Sequence, residues 1–256
     1  MSSVALSRFA YDRIREMFLN HRFSAGMKIS ETKLAKELGI SRTPVREAIR
    51  QLQMEGLLYQ VAQSGTYISS PGRREISEIY EVRLALEVQA IGKAATRLRR
   101  EELDELSRLL TEMEAYVSQF QKDKAKSLIG EPLRRFLLAD MNFHLTIFQA
   151  ADNQTAIKIY SDVQMRNRAF GDRSHRRDQR HLDSVLNSHT KILQALQRED
   201  ETAAKESMAE HIENSLRDAL DTFDHTPPVA PAGDRTIKKK REAALPPPAH
   251  SARRRS

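Results

Sequence analysis

The chain has no cysteine and no tryptophan among its 256 residues, and its aromatic content is only 6%. Without cysteine, disulfides and thiolate metal sites are excluded, so any metal must be held by imidazole and carboxylate. Long hydrophobic runs are also missing. No apolar stretch approaches the roughly 18 residues a helix needs to cross a bilayer, so no membrane association is expected. The first residues, Met1 to Arg8, lack an apolar stretch behind a basic start and do not read as a secretory leader. A cytoplasmic location is expected.

What is present is charge and helical periodicity. Hydrophobic residues make up 39% and charged residues 30% of the chain, with a net charge of +7. The charge is unevenly spread: residues 1–70 carry ten Lys/Arg against six Asp/Glu, residues 71–225 carry 24 against 27, and residues 226–256 carry eight against two. A basic head and tail around a faintly acidic middle suits a polyanionic partner at the ends alone. The length allows two domains, each burying its own core.

The pattern is helical nearly throughout, with one interruption at about 57–69. There Leu57–Val61 and Thr66–Ser69 flank Ala62-Gln63-Ser64-Gly65, which reads as a small β-hairpin. Ser70-Pro71-Gly72 then breaks the chain. Beyond it, periodicity predicts six helices near 73–98, 101–121, 131–150, 154–170, 176–197 and 201–223, with Asp200 as N-cap of the last. The expected fold is mainly α. A winged helix-turn-helix occupies 1–70, an antiparallel helical bundle occupies 71–225, and a disordered basic, proline-rich tail occupies 226–256.

Residues 30–55 carry the sharpest local signal. Ser30 can cap a helix over Glu31–Leu38, and Gly39 can end it in the left-handed conformation. A second helix follows, with Thr43 read as N-cap and Pro44 as its first residue. Val45, Ala48, Ile49 and Leu52 form its buried stripe. Arg46 and Arg50 lie one turn apart off that stripe, and Arg42 sits just before the helix. Two helices joined by a glycine turn, the second basic at its N-terminal end, form a helix-turn-helix layout. An arginine there can grip guanine O6 and N7 with both arms of its fork. The bland alternative, a structural helix pair with a solvated arginine face, loses ground because a β-hairpin follows at once and the region is basic.

The run Ser41-Arg-Thr-Pro-Val-Arg-Glu-Ala-Ile-Arg-Gln-Leu, followed by Met54-Glu-Gly-Leu-Leu and Gly65-Thr-Tyr-Ile, resembles the winged-helix signature of the GntR family of bacterial regulators. The resemblance implies a double-stranded operator as partner, with Ser41, Arg42, Thr43, Arg46 and Arg50 as DNA-binding residues. It also implies that the hairpin, at Gly65, approaches the minor groove. One departure stands out: the wing tip Gln63-Ser64-Gly65 lacks the basic residue often found there.

A second constellation lies in the helical part. Asp140 and His144 are i, i+4 neighbours in the apolar stripe Phe136, Asp140, Phe143, His144, Ile147. His189 sits in the middle of the stripe Leu182 to Leu196, and His211 in the middle of the stripe Ala204 to Ala219. Burying these four without partners would cost several kcal/mol. A divalent metal such as Zn, Ni, Mn or Fe satisfies all of them together. Singly, each histidine reads as a hydrogen-bonded core residue before a ligand; together, four inward polar groups on three helices favour a metal. His21, His175, His181, His225 and His250 fall off such stripes.

This layout resembles the metal-bearing FCD effector domain of the FadR subfamily, over about residues 73–223. The resemblance implies a metal held by Asp140, His144, His189 and His211, a small organic acid bound beside it, and a homodimer acting as a repressor relieved by its ligand. Arg83 matches an arginine common in the first effector helix and is a candidate to grip the acid's carboxylate. An ion pair with Glu87 is its equal alternative. Asn214, one turn after His211, is a weaker candidate for the same pocket. Two other readings stay open: a regulator that answers to the metal alone, and a metal-dependent hydrolase, against which no spare carboxylate or histidine is apparent as a general base.

Overall fold

The computed structural model describes residues 2–20, 22–123, 127–171 and 176–225. The tail 226–256 and His21, His175 and His250 lie outside them. Among the described residues no helix is long and apolar enough to cross a membrane.

The N-terminal part is a winged helix-turn-helix. Helix α1 (Ser3–Leu19) is capped by Ser2, whose hydroxyl accepts from the Ala5 amide, and buries Ala10, Tyr11, Ile14, Met17 and Phe18. That i, i+4, i+7 spacing lays one face of α1 on the third helix. Strand β1 (Lys28–Ile29) leads into α2 (Glu31–Leu38), which Ser30 caps through the Lys33 amide and Gly39 closes at φ 67°. Helix α3 (Arg42–Met54) buries Pro44, Val45, Ala48, Ile49 and Leu52. Strands β2 (Leu58–Val61) and β3 (Gly65–Ile68) form the expected hairpin. β1 adds to its far edge, antiparallel to β3, giving a three-stranded sheet in the order β1-β3-β2.

Two expectations need correction here. Thr43 is not the N-cap of α3: Ser41 holds the extended conformation of a cap, and the helix begins at Arg42. Pro44 therefore stands third rather than first, still within the turn whose amides have no intrahelical acceptor, so it removes no helix bond. The two-residue strand β1 was not expected, because two residues carry no readable alternation.

Among the described residues six helices follow: α4 (Arg73–Ala94), α5 (Arg100–Lys122), α6 (Gly130–Ala150), α7 (Gln154–Gly171), α8 (Gln179–Gln197) and α9 (Glu201–His225). α4 lies along α9 and touches α6 and α7, while α5 packs on α6 and α8, and α8 on α9. Asp200 caps α9 through the Ala203 amide at 2.9 Å, as expected. The helix placed at 176–197 starts later. Arg176–Arg177 forms a short strand, β5, paired antiparallel with β4 (Leu128–Ile129), and Asp178 caps α8 by accepting from the His181 amide. A capping aspartate fixes the first turn behind it, so Arg176 and Arg177 stay extended.

Candidate functional site

Two sites stand apart in the molecule. The first is the outer face of α3. Its buried stripe turns Ser41, Arg42, Thr43, Arg46 and Arg50 to solvent. Arg42 and Arg46 converge on one carboxylate, Glu31 at the start of α2. Arg46 Nη2 donates to Glu31 Oε2 at 3.0 Å and its Nε at 3.1 Å, while Arg42 Nη2 donates at 3.4 Å. Arg46 first, and then Arg42, hold the Glu31 carboxyl below its usual range, against a smaller opposing effect of burial. Two cations one turn apart thus stand side by side on the exposed face of α3. Between α3 and the wing runs a polar groove lined by Arg46, Arg50, Gln53, Gln60 and Thr66. Gly65 opens β3 at φ 129°, a left-handed conformation that favours glycine.

The second site is in the bundle. α6 carries Asp140 and His144, α8 carries His189, and α9 carries His211. One ligand atom from each lies within 4.8 Å of the others. The three imidazoles are buried, and Asp140 keeps 26% of its side chain accessible. His189 Nδ1 donates to the Val185 carbonyl at 2.9 Å, which turns Nε2 inward as the nitrogen open to a ligand. Nε2 of His189 and Nε2 of His144 are both buried, and neither has a hydrogen-bond partner. Asp140 Oδ1 stands 3.2 Å from the first and 3.9 Å from the second.

The charges suit a metal. Burial, and then the neighbouring His189 and His144, push the His211 imidazole well below its ordinary pKa, so it is neutral and able to donate a lone pair. Burial opposes ionisation of Asp140, but the surrounding histidines, His189 foremost, hold its carboxyl far below the usual range. An ionised carboxylate and imidazole nitrogens with no partner are the donor set that Zn, Ni or Mn accepts. The residues therefore fit a divalent ion.

Behind this cluster sits a carboxylate that sequence reasoning missed as part of the site. Glu87 on α4 is 1% exposed, with Oε2 2.6 Å from His144 Nδ1 and Oε1 accepting from Arg83 Nε at 2.8 Å. Burial raises its pKa, yet Arg83 and then His144 outweigh this and keep it low. A carboxylate against the remote nitrogen of a ligating imidazole is the arrangement that orients metal-bound histidines. A signal for it exists in the sequence: Glu87 lies one turn from Arg83 on the buried face of α4.

Arg83 makes the ion pair with Glu87 that was its alternative reading, and it also lines a cavity of about 90 Å³ together with Asp140 and His211. The same cavity is lined by Gln164 and Asn167 from α7, and by His181 and Asp218, whose side chains pair at 2.8 Å. His181 falls off the apolar stripe of α8, but 181, 185 and 189 form an i+4 row, which brings it to the same cavity as the cluster. Asn214 does not line this cavity; its amide oxygen accepts from Arg217.

Helix α7 joins the two sites. Asp162 pairs with Arg15 of α1, and Arg166 Nη2 donates to the Glu55 carbonyl at the end of α3 at 2.8 Å. Arg15 also donates to Tyr11, whose hydroxyl donates to the Glu55 carboxylate at 2.7 Å.

Comparison with known proteins gives a consistent picture. The gntR family of bacterial regulatory proteins matches residues 6–68, and the FCD domain matches residues 78–214. The HTH-type transcriptional regulator YdhC of Bacillus subtilis is 27% identical over 201 residues, 78% of this chain and 85% of that protein. The Nta operon transcriptional regulator of Aminobacter aminovorans is 30% identical over 190 residues, 73% of this chain and 83% of that protein. Among solved structures, E. coli McbR/YncC superposes with a TM-score of 0.72 at 20% identity, covering 87% of this chain and 99% of its own. That likeness speaks for the fold alone.

Proposed function

The chain belongs to the GntR family of bacterial transcriptional regulators, with an FCD domain behind its DNA-binding head, and on that premise we propose that it is a metal-dependent, acid-sensing repressor of the FadR type. The DNA-binding regulator is established by the family; the sensing is the proposal. The observation that carries it is the set of four ligand atoms within 4.8 Å, two of them buried imidazole nitrogens without partners, opening on a cavity that holds Arg83.

Asp140, His144, His189 and His211 would hold a divalent ion, which supplies a Lewis-acid site for one carboxylate oxygen. Arg83, anchored through Nε by Glu87, faces the same cavity and supplies charge-assisted hydrogen bonds to that carboxylate. Gln164 and Asn167 read the rest of the ligand. Because both lie on α7, whose Asp162 and Arg166 grip the DNA-binding head, a ligand that favours one placement of α7 biases the placement of α3. A homodimer would set two α3 helices in successive major grooves of a two-fold operator, and a change in their spacing would release it.

The test is metal analysis of the purified chain, followed by thermal-shift screening of small organic acids with and without the metal. The expected outcome is about one metal per chain and a further upward shift with selected acids, both lost in His189→Ala/His211→Ala. A parent chain that binds no metal, and acids that act equally on the double variant, contradict the reading. A metal that changes operator affinity with no acid present would instead identify the ion as the signal.

A further inference from the structure

The hairpin that flanks α3 is uncharged. No lysine, arginine or histidine occurs between residues 51 and 72, and none of the turn residues Ala62, Gln63 and Ser64 carries charge. A wing without a cation has little to offer a phosphate. The cation comes from another strand. β1 pairs with β3 so that Lys28 stands opposite Tyr67, on the face shared by Gly65, two residues along.

From there the exposed Lys28 side chain runs along the outside of the hairpin towards its turn. A methyl group placed on Gly65 would meet Lys28 Cε at 2.7 Å and Nζ at 3.4 Å. The ammonium therefore lies over the first residue after the turn, where Gly65 pairs with Val61. The stem crosses the outer face of Tyr67, with Nζ 6.0 Å from the ring centroid, and Tyr67 in turn stacks on Tyr59 at 5.7 Å. Tyr67 is fixed by its hydroxyl contact with Ser64 at 2.5 Å. Among the described residues no carboxylate pairs with Lys28, so its charge is uncommitted.

We propose that Lys28 is the DNA-contacting cation of the wing: it lies over Gly65 at the hairpin turn and contacts a phosphate of the groove beside the one α3 enters. The absence of a side chain at Gly65 opens the path, and the Tyr67–Tyr59 stack supports the stem at low entropic cost. The assignment rests on the reading that the face of α3 carrying Arg42 and Arg46 docks on DNA. It adds a residue that no hairpin motif contains, because its position follows from the pairing of β1.

The experiment uses the full chain and a fluorescent duplex that this chain selects from a randomised library. Affinity is measured against salt for the parent, Lys28→Met, Lys28→Arg, Arg46→Ala, and Lys122→Met as a remote control. Lys28→Met keeps the stem over Tyr67 and removes only the charge. The slope of log affinity against log salt is expected to become shallower by about 0.9 for each phosphate that is no longer neutralised, with equal weakening on selected and scrambled duplexes. Lys28→Arg and Lys122→Met should keep the parent slope. An unchanged slope in Lys28→Met overturns the assignment. So does weaker binding at unchanged slope, which would give Lys28 a packing role only. If Arg46→Ala binds like the parent while the slope falls in Lys28→Met, the reading of α3 fails and that of the wing stands.

Discussion

The Val185 carbonyl decides which nitrogen of His189 is available to a ligand, and Glu87 does the same for His144. Such outer contacts typically govern metal affinity by about 10- to 100-fold. Glu87→Gln keeps the shape but removes the charge, so metal affinity measured by chelator competition should fall within that range while the four ligands remain. Gly39 gives a cleaner test of backbone strain. A Cβ there would meet nothing within 4 Å, yet φ is +67°, so Gly39→Ala should cost about 1–2 kcal/mol in denaturant melts through conformation alone. The His181–Asp218 pair in the cavity lining sets a pH dependence. His181, by its hydrogen bond, lowers the pKa of Asp218. Its stabilisation is complete above the ordinary aspartate value near ~3.9 and fades as pH falls through the lowered folded value. Asp218→Asn should flatten that acid limb of the stability profile.

At the scale of elements, α7 is the piece whose role depends on position rather than composition. Its polar residues point two ways: Gln164 and Asn167 to the cavity, Asp162 and Arg166 to the DNA-binding head. Asp162→Ala/Arg166→Ala should leave operator affinity close to that of the parent and remove most of its response to ligand, a coupling typically of about 1–3 kcal/mol. Titrating operator with and without acid measures it. Such a two-sided role is not legible in sequence, because Arg15, Glu55 and α7 are far apart along the chain. The stripes through Ala48 and Ile49, through His144, and through His189 and His211 were legible, since burial at helical spacing leaves a periodic trace. β1 left none, being two residues long. His181 escaped notice because the apolar stripe was begun at Leu182, whereas Val185 and His189 of that stripe continue back by one turn to 181. The start of α3 shifted from Thr43 to Ser41 because both residues are good caps and backbone conformation chooses between them.

For the whole molecule, the charge split and the fold agree. The basic head carries the arginine face, and the near-neutral bundle carries the cluster, where the proposed metal, binding only the folded chain, would add stability by mass action. At about a hundredfold excess over its dissociation constant the gain is about 2.7 kcal/mol, so chelation should lower the melting temperature by roughly 5 °C or more. That shift should vanish in His189→Ala/His211→Ala. The account as a whole depends on α3 entering duplex DNA with Arg42 and Arg46, which stand side by side at Glu31. The most direct measurement is the affinity of Arg42→Ala/Arg46→Ala for the selected duplex at one fixed salt concentration. Each well-placed arginine contact is worth about 1–3 kcal/mol, so the double variant should bind at least about tenfold more weakly while melting like the parent. An affinity equal to the parent's would contradict the account.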